Sequence, residues 1–294
     1  MLYSLNAVVI LYNPESSIIE NIRSYISEVE EIFLFDNSIK PNDWIINKFN
    51  YEDRKKIKYI FNSENKGLPK GINIAISKSI GKGVRFLLTM DQDSKFSGKD
   101  FITFKKMVFK HSYNNEKIGV YAPFHSLPNE TKKVFCRDYE YTDIVMTSGN
   151  IIDNLISKDI GYFNEEYFID GVDWEYCLRL SEHDYKVLRV NNVNLEHNLG
   201  NPELNSDSFI KCNVSLYNYN YIRRYYITRN SLTISFRYIF KSPRRCLIWL
   251  LYIPIDICKI IFFESDKNRK LKSVYYGILD FIMRRRGKTV RFVH

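Results

Sequence analysis

The chain has 294 residues, 45% of them hydrophobic and 26% charged, proportions that exclude wholesale disorder. Gly 12 and Pro 8 are too few for a collagen-like or Pro-rich architecture. The 43 Lys and Arg against 34 Asp and Glu leave a formal +9, which favours an anionic partner (nucleic acid, a membrane surface or a phosphorylated small molecule) without choosing among them.

Leu5–Leu11 is a β-rich apolar run that ends at Asn13-Pro14, a strand followed by a turn. Residues 14–26 then carry Ile18, Ile19, Ile22 and Ile26 at helical spacing. Further strands are expected at 31–36, 57–62 and 84–90, with a helix over 70–80 whose Ile72, Ala75, Ile76 and Ile80 share one side. Alternating strands and helices in this order predict a parallel α/β sheet covered by helices. Such sheets bind ligands beyond the carboxyl ends of their strands. Asn13, Asp36, Asn65 and the Asp91/Asp93 pair all fall there. Residues 118–199 read as a mixed region of short strands and loops. From about Tyr217 the chain is rich in Tyr, Arg, Ile and Phe, and a boundary is placed near 231–238.

Asp91-Gln92-Asp93 directly follows an apolar strand, and two carboxylates at i and i+2 can face one divalent cation with its phosphate oxygens. Alone, such a turn is more often merely solvated. Asp170, Asp173 and Glu175 crowd together ahead of Arg179. If a helix begins near Trp174, Asp173 is either a cap for its free amides or a general base at the rim of a site. His197, Arg229-Asn230 and Asn65-Lys66-Gly67 each also have an ordinary structural reading.

Taken as an ordered set these segments resemble the family 2 inverting glycosyltransferases, most closely their bacterial rhamnosyltransferase-like branch. The matching residues are Val8 to Pro14, Asp36-Asn37-Ser38, Asn65-x-Gly67 continuing to Asn73, and Leu87 to Ser94. They go on with Thr147-Ser148-Gly149-Asn150, Phe168 to Leu180, His197-x-x-Gly200 and Arg229-Asn230. The resemblance spans roughly residues 5–230. It implies a glycosyltransferase A-type α/β fold, a Rossmann-like mostly parallel sheet flanked by helices, as a catalytic domain over 1–230. Residues 231–294 form a C-terminal helical appendage.

The resemblance also assigns roles. Tyr12, Asn13, Asp36, Asn65, Gly67, Asp91 and Arg229 are assigned to the nucleotide-sugar donor. Asp91, Asp93 and His197 are assigned to Mg²⁺ or Mn²⁺, and Asp173 to the catalytic base. Ser148, Gly149, Asp170 and Trp174 are assigned to the acceptor. The family's usual Glu-Asp pair reads Val172-Asp173 here, a pattern its rhamnosyltransferase-like branch shares. The implied reaction moves L-rhamnose from dTDP-L-rhamnose to a lipid-linked saccharide in bacterial surface polysaccharide synthesis, O-antigen or capsule. A UDP-hexose donor is the alternative.

Two other classes fit less well. For a nucleic-acid-binding protein, the aromatics lie in apolar runs and no RNA-binding consensus is seen. A nucleotidyltransferase would need a basic, Gly-rich N-terminal loop, which 11–17 does not supply. The five cysteines lack CxxC spacing and are odd in number, which suits a reducing cytoplasm. No stretch of ~18 residues is free of charge, so a spanning helix is not expected. The nearest approach, 246–263, is interrupted by Pro254, Asp256 and Lys259, and its 247–263 part reads as apolar enough to lie in a membrane interface but too interrupted to span. Leu271, Val274, Tyr275, Ile278 and Ile282 recur at helical spacing among Lys and Arg. That pattern predicts a basic amphipathic helix resting on the inner face of the cell membrane, with packing on the catalytic domain as the other reading.

Overall fold

The apolar runs of the first third become neighbouring strands in the computed structural model, which describes residues 4–113, 117–126, 135–197 and 219–292. These fall into two units, one within Met1–Glu165 and Val172–Asn198, the other within Glu166–Gly171 and Leu199–His294.

In the first unit β1 (Leu5–Leu11), β2 (Ile32–Asp36), β3 (Ile57–Phe61) and β4 (Phe86–Asp91) run parallel in the order β3-β2-β1-β4. β1, β2 and β4 are apolar at nearly every position because both of their faces are covered. Between them stand α1 (Ile18–Arg23), α2 (Tyr51–Lys56) and α3 (Leu68–Gly81). The expected helix over 14–26 is shortened to α1. Its first residues make only three-residue turns, Ile18 N–H to the Glu15 carbonyl among them, and a 3-10 turn at Ile26–Glu28 follows. α3 lies hard against the sheet: a Cβ on Gly71 would sit 2.4 Å from Ile10 Cδ1 and 2.7 Å from Phe35 Cδ1. Only glycine fits there.

After β4 come β5 (Ser94–Phe96), α4 (Asp100–Tyr113), β6 (Ile118–Ser126), β7 (Tyr139–Thr142) and β8 (Asn150–Asp153). α5 (Asn154–Ile160), α6 (Val172–Glu182) and β9 (Lys186–His197) complete the unit. β8 is antiparallel to both β4 and β6, β6 and β9 are parallel, and β5 and β7 pair antiparallel with β9. The parallel half of the sheet therefore continues into a mixed half, and the join is β4. One core cluster runs through it, with Leu34, Phe86, Leu88 and Leu195 packed beside Ile22 and Phe104. Each such side chain contributes about 1.5–3 kcal/mol on burial.

The second unit holds α7 (Tyr221–Tyr238), α8 (Pro243–Phe263) and α9 (Lys267–Ile282). Packing places the division earlier than the sequence boundary near 231–238, because α7 buries its face against the later helices. A Cβ on Gly277 of α9 would come within 2.9 Å of Thr228 Cβ and of the Tyr225 carbonyl oxygen. The helices touch backbone to backbone.

Two membrane-related expectations change. Pro254 does not break α8, which runs unbroken for 21 residues and is long and apolar enough to cross a bilayer by length and composition. Its acid is turned inward: Asp256 is buried and pairs with Arg224 of α7, which also pairs with Glu264, while Lys270 binds Glu264 at 2.9 Å. The α9 stripe is divided. Val274 is buried while Tyr275 and Ile282 are exposed, and the inward face is Lys270, Ser273, Val274, Gly277 and Asp280. Packing in the second unit claims the centre of that helix, so α9 does not present the expected continuous apolar face.

Removing the shared cation leaves two carboxylates crowded in a dry environment. Arg224→Met is expected to destabilise this unit by about 3–5 kcal/mol, the usual consequence of unpairing a buried charge. Chemical denaturation followed by circular dichroism measures it, and a change below about 1 kcal/mol would contradict the pairing.

Candidate active site

Parallel strands expose free backbone groups and side chains at their carboxyl ends, and here the first unit spends many of those groups on fixing its own loops. The chain leaves β1 through Tyr12 and Asn13, both exposed. Asn13 has a φ of 47°, and its N–H donates to Ser38 Oγ at 2.7 Å. Tyr12 is tied to the end of β4 by Gln92. Its N–H donates to Gln92 Oε1 at 2.8 Å, and its carbonyl accepts from Gln92 Nε2 at 3.2 Å. Asn21 on α1 adds a bond to the Gln92 carbonyl at 2.7 Å. Sequence reasoning did not single out Gln92 in its own right, although an amide between two acids, facing another strand end, suits this bridging role.

Asp36 ends β2 and is fully buried. Its Oδ1 accepts from the Ser38 N–H at 2.9 Å, and its Oδ2 accepts from the Asn42 N–H, the Asn42 side chain and the Tyr59 hydroxyl, the last at 2.5 Å. Burial alone would raise its pKa, but hydrogen bonds from Ser38, Tyr59 and Asn42 outweigh that and hold the carboxyl below its ordinary range. Burial, and then the bond to Asp36, push the Tyr59 phenol up. Asp36 was expected to touch the nucleotide. Its carboxylate is occupied within the chain and organises the 36–42 loop.

The next loop is shaped the same way. Asn65 Oδ1 accepts from the Gly67 N–H at 2.9 Å, and Gly67 has a φ of 86° that a side chain would strain. Asn37 reaches across with its Nδ2 to the Gly67 carbonyl at 3.3 Å and its Oδ1 to the Lys66 N–H at 3.2 Å. α3 starts from this Gly67, with Pro69 in its first turn.

The Asp91–Asp93 turn lies between β4 and β5. Asp91 is partly buried and Asp93 is exposed. Behind the turn, Thr89 Oγ1 donates to the Thr147 carbonyl at 2.6 Å, and the Gly149 N–H returns to the Thr89 carbonyl at 2.7 Å. The Asp91 N–H donates to Ser148 Oγ at 3.1 Å, and Ser148 Oγ bonds Ser94 Oγ at 2.8 Å. The His125 ring donates to the Ser148 carbonyl at 2.8 Å. A Cβ on Gly149, whose φ is 80°, would meet Leu195 Cδ2 at 2.7 Å and Pro123 Cγ at 2.8 Å. Ser148 and Gly149 were expected at the acceptor. Both are buried, and they support the acidic turn from behind.

His197 ends β9, where its backbone is in register with Ser94, one residue past Asp93. Its side chain lies outside the described residues. Among the described residues no three His, Cys, Asp or Glu side chains gather as a metal cluster. The oxygen donors at the turn are two carboxylates, a ligand type that fits a hard cation still needing diphosphate oxygens to complete its shell.

Asp173 occupies the first turn of α6, half-buried, with its Oδ1 accepting from the Trp174 N–H at 3.0 Å. The helix is anchored deeper in. Glu175 is fully buried and binds Arg179 through both oxygens at 2.9 Å, and Arg179 donates to the carbonyls of Ile160, Gly161 and Tyr162. Glu175 is thus committed to structure, and Asp173 is the carboxylate on this turn placed nearer solvent.

The second unit holds the remaining candidates. Asp170, with a φ of 58°, pairs with Arg223 at 3.0 Å; burial raises its pKa and Arg223 opposes the rise. Asn230 Nδ2 donates to the carbonyls of Tyr167, Ile169 and Asp170 at 2.7–2.9 Å, fixing a loop in which Phe168, Asp170 and Gly171 all have positive φ. Strained backbone of this kind persists only where surroundings over-determine it. Arg229 was expected to face the donor diphosphate. It is buried, donates to the carbonyls of Gly287 and Glu166, bonds Asn230 Oδ1 at 3.0 Å, and lies over the rings of Tyr225 and Tyr226. Its guanidinium is an internal strut.

Comparison with known proteins agrees with this architecture. Residues 7–151 match the model of glycosyl transferase family 2. The chain is 25% identical over 306 residues to the dTDP-rhamnosyl transferase RfbF of Shigella flexneri, covering 95% of each. Among solved structures it resembles S. aureus TarS 1-349 in complex with UDP-GlcNAc, at a TM-score of 0.60 and 15% identity over 96% of this chain and 81% of that one. GalNAc-T7 with UDP, GalNAc and Mn²⁺ gives 0.52 and 12%, over 67% of this chain and 44% of that one. The sheet and its flanking helices have the glycosyltransferase A-type fold.

If Arg229 is a strut rather than a phosphate ligand, Arg229→Lys should cost stability and spare nucleotide binding. Buried carbonyls left without donors predict a loss of about 2–4 kcal/mol in denaturation, with nucleoside-diphosphate affinity by calorimetry changed less than about twofold. A large loss of nucleoside-diphosphate affinity at unchanged stability would restore the donor role.

Proposed function

In a chain whose residues 7–151 match the glycosyl transferase family 2 model, we propose that the enzyme transfers L-rhamnose from dTDP-L-rhamnose, with inversion, to a hydroxyl of a lipid-linked saccharide. The observation that carries this reading is the likeness to a dTDP-rhamnosyl transferase over 95% of both chains, second unit included. The acceptor and a role in bacterial surface polysaccharide synthesis, O-antigen or capsule, follow from the same reading. So does a place on the inner face of the cell membrane. A UDP-hexose donor is the competing assignment, and a donor-hydrolysis panel separates the two.

Asp173 is the base in this scheme. Its position in the first turn of α6, half-buried where Glu175 is fully buried, suits a carboxylate that must meet an acceptor. Asp173 takes the acceptor proton as the oxygen attacks the anomeric carbon. The bond to the nucleotide diphosphate breaks on the opposite face, and its electrons leave with the diphosphate. No side chain is glycosylated, so no Ser or Cys nucleophile is required. Trp174, half-buried beside the base, is suited to line the acceptor side.

Asp91 and Asp93 would hold Mg²⁺ or Mn²⁺, with His197 as a further ligand. The ion supplies neutralisation of charge on the leaving diphosphate. Gln92 ties this turn to Tyr12, so the acidic pair and the exposed end of β1 keep a fixed relation as donor binds. Tyr12 and Asn13 stand as the donor-facing groups there, with Asn65 and Gly67 shaping the neighbouring loop.

Loss of a positioned general base typically lowers rate by ~10²–10⁴. Asp173→Asn is therefore expected to reduce rhamnosyl transfer by that factor while dTDP binding stays nearly intact, because the change is isosteric and faces the acceptor. Near-normal turnover in the variant would remove Asp173 from the reaction.

A further inference from the structure

α8 has one side bound into the second unit and another that stands exposed among the described residues. Leu247, Ile248, Leu251, Tyr252, Ile255 and Phe262 recur every three or four residues along it and are 41–70% exposed. Cys246, Asp256 and Ile260 form the buried side. Just before the helix, Phe236 at the end of α7 and Phe240 in the connection are 61% and 97% exposed and extend the apolar surface. Isolated exposed apolar residues are ordinary, but a contiguous ridge of this length marks an interaction surface.

Charge says what covers it. Arg237, Lys241, Arg244, Arg245 and Lys259 lie between Arg237 and Phe263, where the single acid, Asp256, is buried on the opposite side. An apolar ridge set among cations with no exposed acid complements an anionic lipid surface.

The buried side says how the helix sits. At about 31 Å, a helix of 21 residues could reach across the hydrocarbon layer. Spanning would carry Asp256, Arg224, Glu264 and Lys270 toward the apolar interior, where each ionised group is strongly disfavoured. Lying flat, α8 turns that network toward the protein and its apolar side toward the acyl chains.

We propose that α8 is an in-plane membrane-docking helix, seated in the interface of an anionic bilayer along its Leu247–Phe262 side. The contact is thereby made by α8 in place of α9. It rests on the proposed reaction only for the reason a lipid-borne acceptor must be met there, and not for the surface itself.

The test is flotation of the full chain with phosphatidylglycerol–phosphatidylcholine vesicles, read without donor or acceptor, so that it stands apart from the proposed reaction. The intact chain is expected to float with these vesicles, more weakly with pure phosphatidylcholine, and to be released by alkaline carbonate. Leu251→Glu with Ile255→Glu should lower the vesicle-bound fraction about tenfold or more. The thermal melt should be unchanged, since both side chains are exposed. Tyr275→Glu with Ile282→Glu on α9 should leave binding as it is. Equal flotation of the α8 variant, release by the α9 variant instead, or resistance to carbonate would each overturn the proposal. So would an intact chain that ignores vesicles and forms a dimer that the α8 variant splits.

Discussion

The end of β4 is the constraint on which the rest of the first unit depends. β4 is the last strand of the β3-β2-β1-β4 parallel half and the one that meets an antiparallel neighbour, β8. At that join Thr89 and the 147–149 segment exchange hydrogen bonds, and Ser148 takes the amide of Asp91. The acidic turn is therefore held by buried bonds to backbone, which have fixed geometry. Glycine at 149 is required twice over, by its positive φ and by the side chains of Leu195 and Pro123 close by. Water is kept from this clasp, so each bond in it keeps more of its strength than an exposed one would.

Many polar residues at the carboxyl edge are used to build the loops that frame the site. Asp36, Asn37 and Asn65 spend their side chains on neighbouring amides, and the two strand ends are tied by Gln92. Such preorganisation lets a site face charge that develops during reaction without rearranging at that moment. In the second unit Arg229 and Asn230 serve the loop of residues 166–170 in the same manner.

The four parallel strands were legible in the sequence, because runs such as Leu5–Leu11 and Ile32–Asp36 are mostly apolar and are punctuated by polar ends. The acidic turn was legible for the same reason: Asp91 stands where an apolar strand stops. Whether a polar candidate residue faces a ligand or its own chain was not legible. Asp36 and Arg229 sit in the right order along the chain, yet which atoms they meet is decided by Tyr59, Asn42, Glu166 and Gly287, most of them far away in sequence. The run of α8 was expected to be interrupted at Pro254, Asp256 and Lys259. Its continuity was not legible because a charge count along the chain cannot tell an outward acid from one paired inward, as Asp256 is with Arg224. The stripe on α9 satisfied helical periodicity, but periodicity does not say which arc packs, and the close approach at Gly277 decided it.

The central claim is a single displacement at the anomeric carbon, with Asp173 as base and no sugar held by the enzyme. Product stereochemistry tests it most directly. Proton and carbon NMR of the saccharide made from dTDP-L-rhamnose should show the anomeric configuration opposite to that of the donor. A product that keeps the donor's configuration would contradict the account, since retention would call for a second displacement or a front-side departure that Asp173 alone does not provide.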